Sequence, residues 1–360
     1  MVLPGNEMEE IKGTYFSAPA SAADLKYGYR WHQNNRILRV AQGEIVADRK
    51  YRLNNYHQNC SFDYFPRKER ENIFRFVVLG DSFTNDIMLH TAWPETLHHL
   101  LNSRKESGVD FEVYAFPTDG GGLPNWHATF FGLLEKDFEY DALIVADWGD
   151  DLFRKWTIFD SDGENVYYKR AEPSEKPENT DQLKALMRDA EAIYKVKSEE
   201  WLDETANDLK NRARQNKTRK IDCGDYKLKT ELPPENYEFS RELFVGRYGE
   251  TRYVMLKEIV DTCKGQGKAL IYSCLPTRDG LLHRISTGEK LLAQLQGAGI
   301  CGHFGMRFFD GYEAFKDIEP QSVVDFYWLR HDGHWNLGAS MHYALKLAEW
   351  IYRGFLVENI

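Results

Sequence analysis

The chain has 360 residues, 42% hydrophobic and 28% charged, enough to bury a sizeable core as one large domain or two smaller ones. Its formal net charge of -10 works against a general attraction to nucleic acid or anionic membrane, so neither is expected as a partner. No apolar run approaches the roughly 18 residues of a membrane span, and the first residues carry neither the basic nor the apolar region of a signal peptide, so a cytoplasmic location is expected.

Residues 1 to 35 show little periodicity, and the run Ser17 to Ala23 reads as an exposed lead-in. Arg36 to Ala41 and Glu44 to Ala47 read as a β-hairpin about Gln42 and Gly43, which Lys50 to Asn54 extends, giving an N-terminal lead-in over 1–72. Arg75 to Leu79 is almost wholly apolar, as a central parallel strand must be. Gly80 then allows a tight turn, and Asp81 or Ser82 can cap the helix that follows. Trp93, Thr96, Leu97, Leu100 and Leu101 are spaced for an amphipathic helix over 93–103. A second strand, Phe111 to Phe116, leads into a loop where Gly120, Gly121 and Gly122 let backbone N–H groups approach a ligand. A helix over 125–134 and a third strand, Asp141 to Asp147, come next, ending at Trp148-Gly149-Asp150-Asp151.

The stretch 155–246 breaks this rhythm and reads as a mainly helical insertion, with Leu183, Leu186, Met187, Ala190, Ile193 and Tyr194 on one helical face. Alternation resumes with a helix over 250–264, a strand Lys268 to Cys274, a helix over 288–296, a short strand Met306 to Asp310 and a last helix reaching Tyr352. Strands alternating with helices over 73–154 and 247–360 predict a flavodoxin-like, doubly wound α/β domain with a parallel sheet of about five strands. The cysteines at 60, 223, 263, 274 and 301 lack C-x-x-C spacing, and neither a disulfide framework, a metal site nor a cofactor is expected.

Sites in such sheets gather at the carboxyl ends of the strands, where Ser82 falls. A serine nucleophile needs a base, an orienter for that base and hydrogen-bond donors for the developing oxyanion. His334 is the candidate base, and Asp332, two residues earlier, can reach its other ring nitrogen. Either pattern alone serves equally well as a helix cap; together they read as nucleophile, base and orienter.

Gly80-Asp81-Ser82-Phe83 after its apolar strand, and Asp332-Gly333-His334-Trp335-Asn336 with Gly338 beyond, resemble the first and last sequence blocks of the SGNH (GDSL-like) hydrolases. The last block is similar to that of the branch holding polysaccharide O-acetyltransferases and acetylesterases. The resemblance covers roughly 36–154 and 247–353 and implies the SGNH hydrolase fold. It implies an oxyanion hole built from the N–H groups of Ser82 and Gly120, with Asp150 at the position where the family has asparagine. An ionised carboxylate has no proton to donate there, and loss of one oxyanion donor typically costs on the order of 100-fold to 1,000-fold in rate. Three readings stay open: Asp150 is protonated or turned away, Asn125 or another donor replaces it, or the enzyme is weak or inactive. Asp81, Asn125, Trp148, Asp151 and Trp335 are expected to shape the substrate pocket. The activity implied is that of a serine esterase cleaving O-acetyl esters of a carbohydrate or small metabolite through an acyl-Ser82 intermediate. The alternatives are an O-acyltransferase using the same residues, and a catalytically lapsed member that binds a glycan or protein partner through the insertion.

Overall fold

A computed structural model of the chain describes residues 11–103, 108–149, 151–215, 231–234, 237–324, 328–329 and 332–355; Asp150 and Cys223 lie outside the described residues. Strands β1 (Gly13–Phe16), β2 (Ser21–Asp24), β3 (Gly28–Trp31), β4 (Asn34–Ala41) and β5 (Glu44–Arg52) come first. β6 (Ile73–Leu79), β7 (Asp110–Ala115) and β8 (Ala142–Asp147) follow, then β9 (Trp156–Ser161), β10 (Asn165–Ala171) and β11 (Glu191–Val196), and finally β12 (Ala269–Cys274) and β13 (Arg307–Asp310).

β6, β7, β8, β12 and β13 form a sheet of order β13-β12-β8-β6-β7 with every neighbouring pair parallel. Read from the β7 edge, the order is second, first, third, fourth, fifth, the flavodoxin-like arrangement, whose switch point lies beside the first strand. Alternation along β6 explains its apolar sequence. Phe76 and Val78 enter one core with Trp93, Leu97, Leu101 and the helix Leu337–Trp350. Val77 and Leu79 enter the other with Trp126, Phe130 and the helix Glu250–Gly265. A strand covered on both faces has no position at which a polar residue meets water.

The expected hairpin is β4 with β5, and the stretch 155–246 holds the helices Thr180–Met187, Glu199–Gln215 and Arg241–Tyr248, but both segments also contribute strands to a second sheet. β5, β4, β1, β11, β10 and β9 form one sheet in that order, in which β1 pairs antiparallel with β4 and parallel with β11. The run expected to be exposed holds Ala20 and Ser21 in full burial, and Phe16 and Trp31 join Ile37, Phe159 and Val166 in a core of their own. Strands of four residues, such as β1, β2 and β3, are too short to show a clear period, and the place of β1 in the sheet depends in part on β11, far away in sequence. The helix Thr180–Met187 ends before Ile193 and Tyr194, which belong to β11. The helix expected over 288–296 is replaced by Arg278–Thr287 and Leu292–Phe304, because Gly288 (φ 76°) terminates the first. No described helix is long and apolar enough to cross a membrane.

Arg75, inside β6, is fully buried, and its guanidinium donates to the carbonyl oxygens of Pro66 and Glu139 (2.8 Å each) and Arg67 (3.1 Å) and to the Glu112 carboxylate (2.5 Å). Removing one partner of a buried ionic network strands the others. Arg75→Met is expected to lower the free energy of urea unfolding by about 3 to 5 kcal/mol.

Candidate active site

β6 ends at Leu79, and Gly80 carries the chain past Thr84 so closely that a Cβ there would lie 2.1 Å from Thr84 Oγ1. Asp81 caps the single helical turn Ser82–Asn85, its carboxyl oxygen accepting from Phe83 N at 2.9 Å. Ser82 is thus the first helical residue, whose N–H has no partner within the turn. Asp86 closes the turn in the left-handed region (φ 40°, ψ 57°). At the other end of the chain, Leu329 N donates to His334 O at 2.9 Å and Asp332 N to Leu329 O at 3.1 Å, and Asn336 caps the helix Leu337–Trp350.

These two ends meet. Ser82 Oγ lies 2.9 Å from His334 Nε2, and His334 Nδ1 lies 2.6 Å from Asp332 Oδ1, which also accepts from His334 N at 2.9 Å. Asp332 is buried, and its second oxygen pairs with the Nε of Arg39, a residue of β4 whose Nη1 reaches Thr14 Oγ1 at 2.8 Å. Burial alone would raise the Asp332 carboxyl; the hydrogen bond and charge of His334, with Arg39 beyond, instead hold it well below the usual carboxylate range. Burial works against the imidazolium of His334, but its bond to Asp332 and the nearby carboxyls of Asp86 and Asp81 prevail and raise its pKa. Phe83 fixes the ring plane, stacking on His334 at 4.8 Å and on Trp148 at 4.9 Å.

Ser82 and His334 open into a cavity of about 270 Å³ that Gly120 also lines. Gly120 takes φ 66°, and its carbonyl oxygen accepts from Thr157 Oγ1 and Arg170, fixing the loop from outside. Much of the remaining wall comes from the second sheet, with Phe16, Phe159, Tyr168 and Tyr194 as its rings, beside Trp31 from the separate β2–β3 pair. Two carboxyl groups share it. Asp119 Oδ2 accepts from Trp31 Nε1 (2.8 Å) and Asn85 Nδ2 (3.1 Å), while burial pushes this carboxyl up to about 6. Burial also raises Asp86 far above the usual range. Neither oxygen of Asp86, nor Oδ1 of Asp119, has a hydrogen-bond partner among the described residues.

The residues expected to shape the pocket stand elsewhere. Asn125 is fully buried, its Nδ2 donating to the Tyr27 and Thr157 carbonyl oxygens (3.0 Å each) and its Oδ1 accepting from Thr157 N (2.9 Å). It fastens the glycine-loop helix to the second sheet and has no donor left for an oxyanion. Trp335 is core, donating to Pro276 O at 3.3 Å, and Trp148 backs Phe83. Asp81 and Asp151 face Arg154. Of the three glycines, Gly121 and Gly122 serve close packing against protein, since a Cβ at either would strike Thr118 or Asp151. Asp150 lies outside the described residues. Sequence reasoning missed Arg39, whose signal was an arginine between the apolar pairs Ile37-Leu38 and Val40-Ala41 of the hairpin strand, and the cavity rings on β9 to β11.

No family model matches the chain, and neither does any curated protein. Among solved structures it is similar to an acetyl-xylooligosaccharide esterase variant from Geobacillus stearothermophilus (13% identity, 78% of this chain and 94% of that one, TM-score 0.41). It is also similar to a lipolytic protein of the G-D-S-L family from Desulfitobacterium hafniense (11% identity, 76% and 98%, TM-score 0.36) and to a lipase/acylhydrolase from Enterococcus faecalis (11%, 77% and 95%, TM-score 0.38).

The raised pKa of His334 sets a direction for any reaction in which it serves as a base: such a group must be unprotonated, so the acid limb of kcat/KM is then expected to titrate above the ordinary histidine value of about 6.5. Asp332→Asn leaves burial to act without the compensating carboxylate, so its limb should move down. Its kcat is expected to fall on the order of 1,000-fold to 10,000-fold, because the carboxamide favours the wrong tautomer. A pH profile of both proteins checks these outcomes.

Proposed function

We propose that the protein is a serine esterase of the SGNH type that cleaves small O-acyl esters, acetyl esters of a hydroxylated alcohol such as a sugar above all. The observation that carries this reading is the continuous chain from Ser82 Oγ through His334 to Asp332, at 2.9 and 2.6 Å. In the proposed reaction His334 Nε2 takes the proton of Ser82 as its Oγ attacks the ester carbonyl. The N–H groups of Ser82 and Gly120 receive the oxyanion, and His334 returns the proton to the leaving alcohol. Water, activated by the same imidazole, then releases the acid from acyl-Ser82.

The alcohol is read from the cavity. About 270 Å³ holds a short acyl group and one ring, and leaves no room for a long chain. Three carboxyl oxygens on Asp86 and Asp119 that have no hydrogen-bond partner among the described residues suit hydroxyl donors, and the surrounding rings suit the apolar faces of a sugar.

A fluorophosphonate is expected to label wild-type protein and not Ser82→Ala, and p-nitrophenyl acetate to be hydrolysed above the Ser82→Ala rate. Absence of both refutes the esterase reading in favour of a binding protein. The substrate class is tested by comparing an acetylated methyl glucopyranoside with cyclohexyl acetate, which matches the ring without its hydroxyls. The sugar ester is expected to be favoured at least tenfold in kcat/KM. Acylated product appearing in place of free acid when alcohols are added would make the enzyme a transferase.

A further inference from the structure

Arg154 stands behind the nucleophile turn and outside the cavity. Its Nη1 lies 3.0 Å from Asp81 Oδ2, 3.0 Å from the Gly121 carbonyl oxygen and 2.9 Å from Asp151 Oδ1. These partners belong to three separate segments: the turn after β6, the glycine loop after β7 and the turn after β8. The residue before Ser82 and the residue after Gly120 are therefore tied to one guanidinium. The segments are built to meet there, since a Cβ on Gly122 would lie 1.9 Å from the Asp151 carbonyl oxygen and 2.9 Å from Arg154 Cβ. Arg154 is itself held, over the Trp148 ring at 5.7 Å and through its carbonyl oxygen, which accepts from Arg252 at 3.2 Å.

We infer that Arg154 is a positioning residue for the oxyanion side of the site, fixing the Ser82 turn against the Gly120 loop and offsetting the charge of Asp81. The inference rests on the esterase reading above. Two backbone N–H groups on different segments act together only if their separation is fixed before charge develops. Asp81 adds a second demand. Its carboxyl is fully buried one residue from the attacking hydroxyl, and without a cation its charge would oppose the oxyanion in a medium that screens poorly.

Arg154→Met, Arg154→Lys and Arg75→Met, each as the full chain, test this. Arg154→Met is expected to lower kcat for p-nitrophenyl acetate on the order of 100-fold, with KM moving by less than about threefold. Arg154→Lys keeps a positive charge on a shorter side chain, whose single nitrogen can stand in for Nη1, and should recover about tenfold of that loss. Arg75→Met weakens the same sheet far from the site and should leave kcat of the folded fraction within about threefold of wild type. Independently of turnover, amide hydrogen exchange over 80–85 and 117–124 should quicken in Arg154→Met by more than in the rest of the chain, whereas Arg75→Met should quicken exchange without favouring those two segments. Wild-type kcat in Arg154→Met, an equal fall in Arg75→Met, a lysine variant as poor as the methionine one, or unchanged exchange would each overturn the inference. If wild-type protein neither labels with fluorophosphonate nor hydrolyses the ester, the esterase reading fails, and exchange alone decides whether Arg154 fixes the two segments.

Discussion

A carboxyl group with no exposed surface sits one residue before the hydroxyl at the centre of the site, and much of the surrounding architecture answers to it. Asp81 is buried because β6 is covered on both faces up to its last residue. Moving such a group out of water costs several kcal/mol unless a charge and hydrogen bonds receive it. Its oxygens are received by Phe83 N, which nucleates the Ser82 turn, and by Arg154, which must reach in from beyond β8. That reach requires a glycine loop stripped of its side chain at 122, where a Cβ would strike the Asp151 carbonyl and Arg154. One buried carboxyl thus couples the geometry of three strand ends.

The two sheets divide the work. The parallel sheet delivers Ser82 and the glycine loop on strand ends that share one edge, as parallel strands must. The second sheet supplies Arg39 behind Asp332 and most of the rings of the cavity wall. It also grips the nucleophile segment directly: Arg49 of β5 donates to the carbonyl oxygens of Ile87 and Leu89 and, through Nη2, to Asn59 Oδ1 at 3.0 Å. The Ser82–His334–Asp332 chain and most of the cavity wall therefore sit on different scaffolds.

What was legible in the sequence follows this division. β6, β8 and β12 announce themselves as apolar runs because burial on both faces leaves a one-dimensional signal, and Ser82, Asp332 and His334 sit in local patterns at strand and helix ends. The second sheet is legible only in part, for a physical reason: the β4–β5 hairpin is local and reads from its turn at Gln42 and Gly43, whereas β1 and β11 meet across about 180 residues, a pairing that leaves no local signal. Asn125 and Trp335 lie beside site residues in sequence yet point into packed interior, and sequence adjacency cannot tell the two sides of a turn apart. Arg39 and Arg154 act at a distance from the motifs they serve, where only the folded chain brings them.

The parallel pairing of β1 with β11, Tyr15 opposite Lys195, also governs how the molecule is assembled. Closing so long a loop costs conformational entropy that is repaid only after the strands have met, so this contact belongs to the slow end of folding. During synthesis β1 waits until β11 has left the ribosome, and His334 emerges later still. The edge of β1 that β11 will cover is exposed meanwhile, which makes the amino-terminal strands a segment that needs protection from aggregation. In the finished protein the same seam offers a local opening: if β1 parts from β11, the cavity wall and the support of Arg39 loosen while the parallel sheet stays intact.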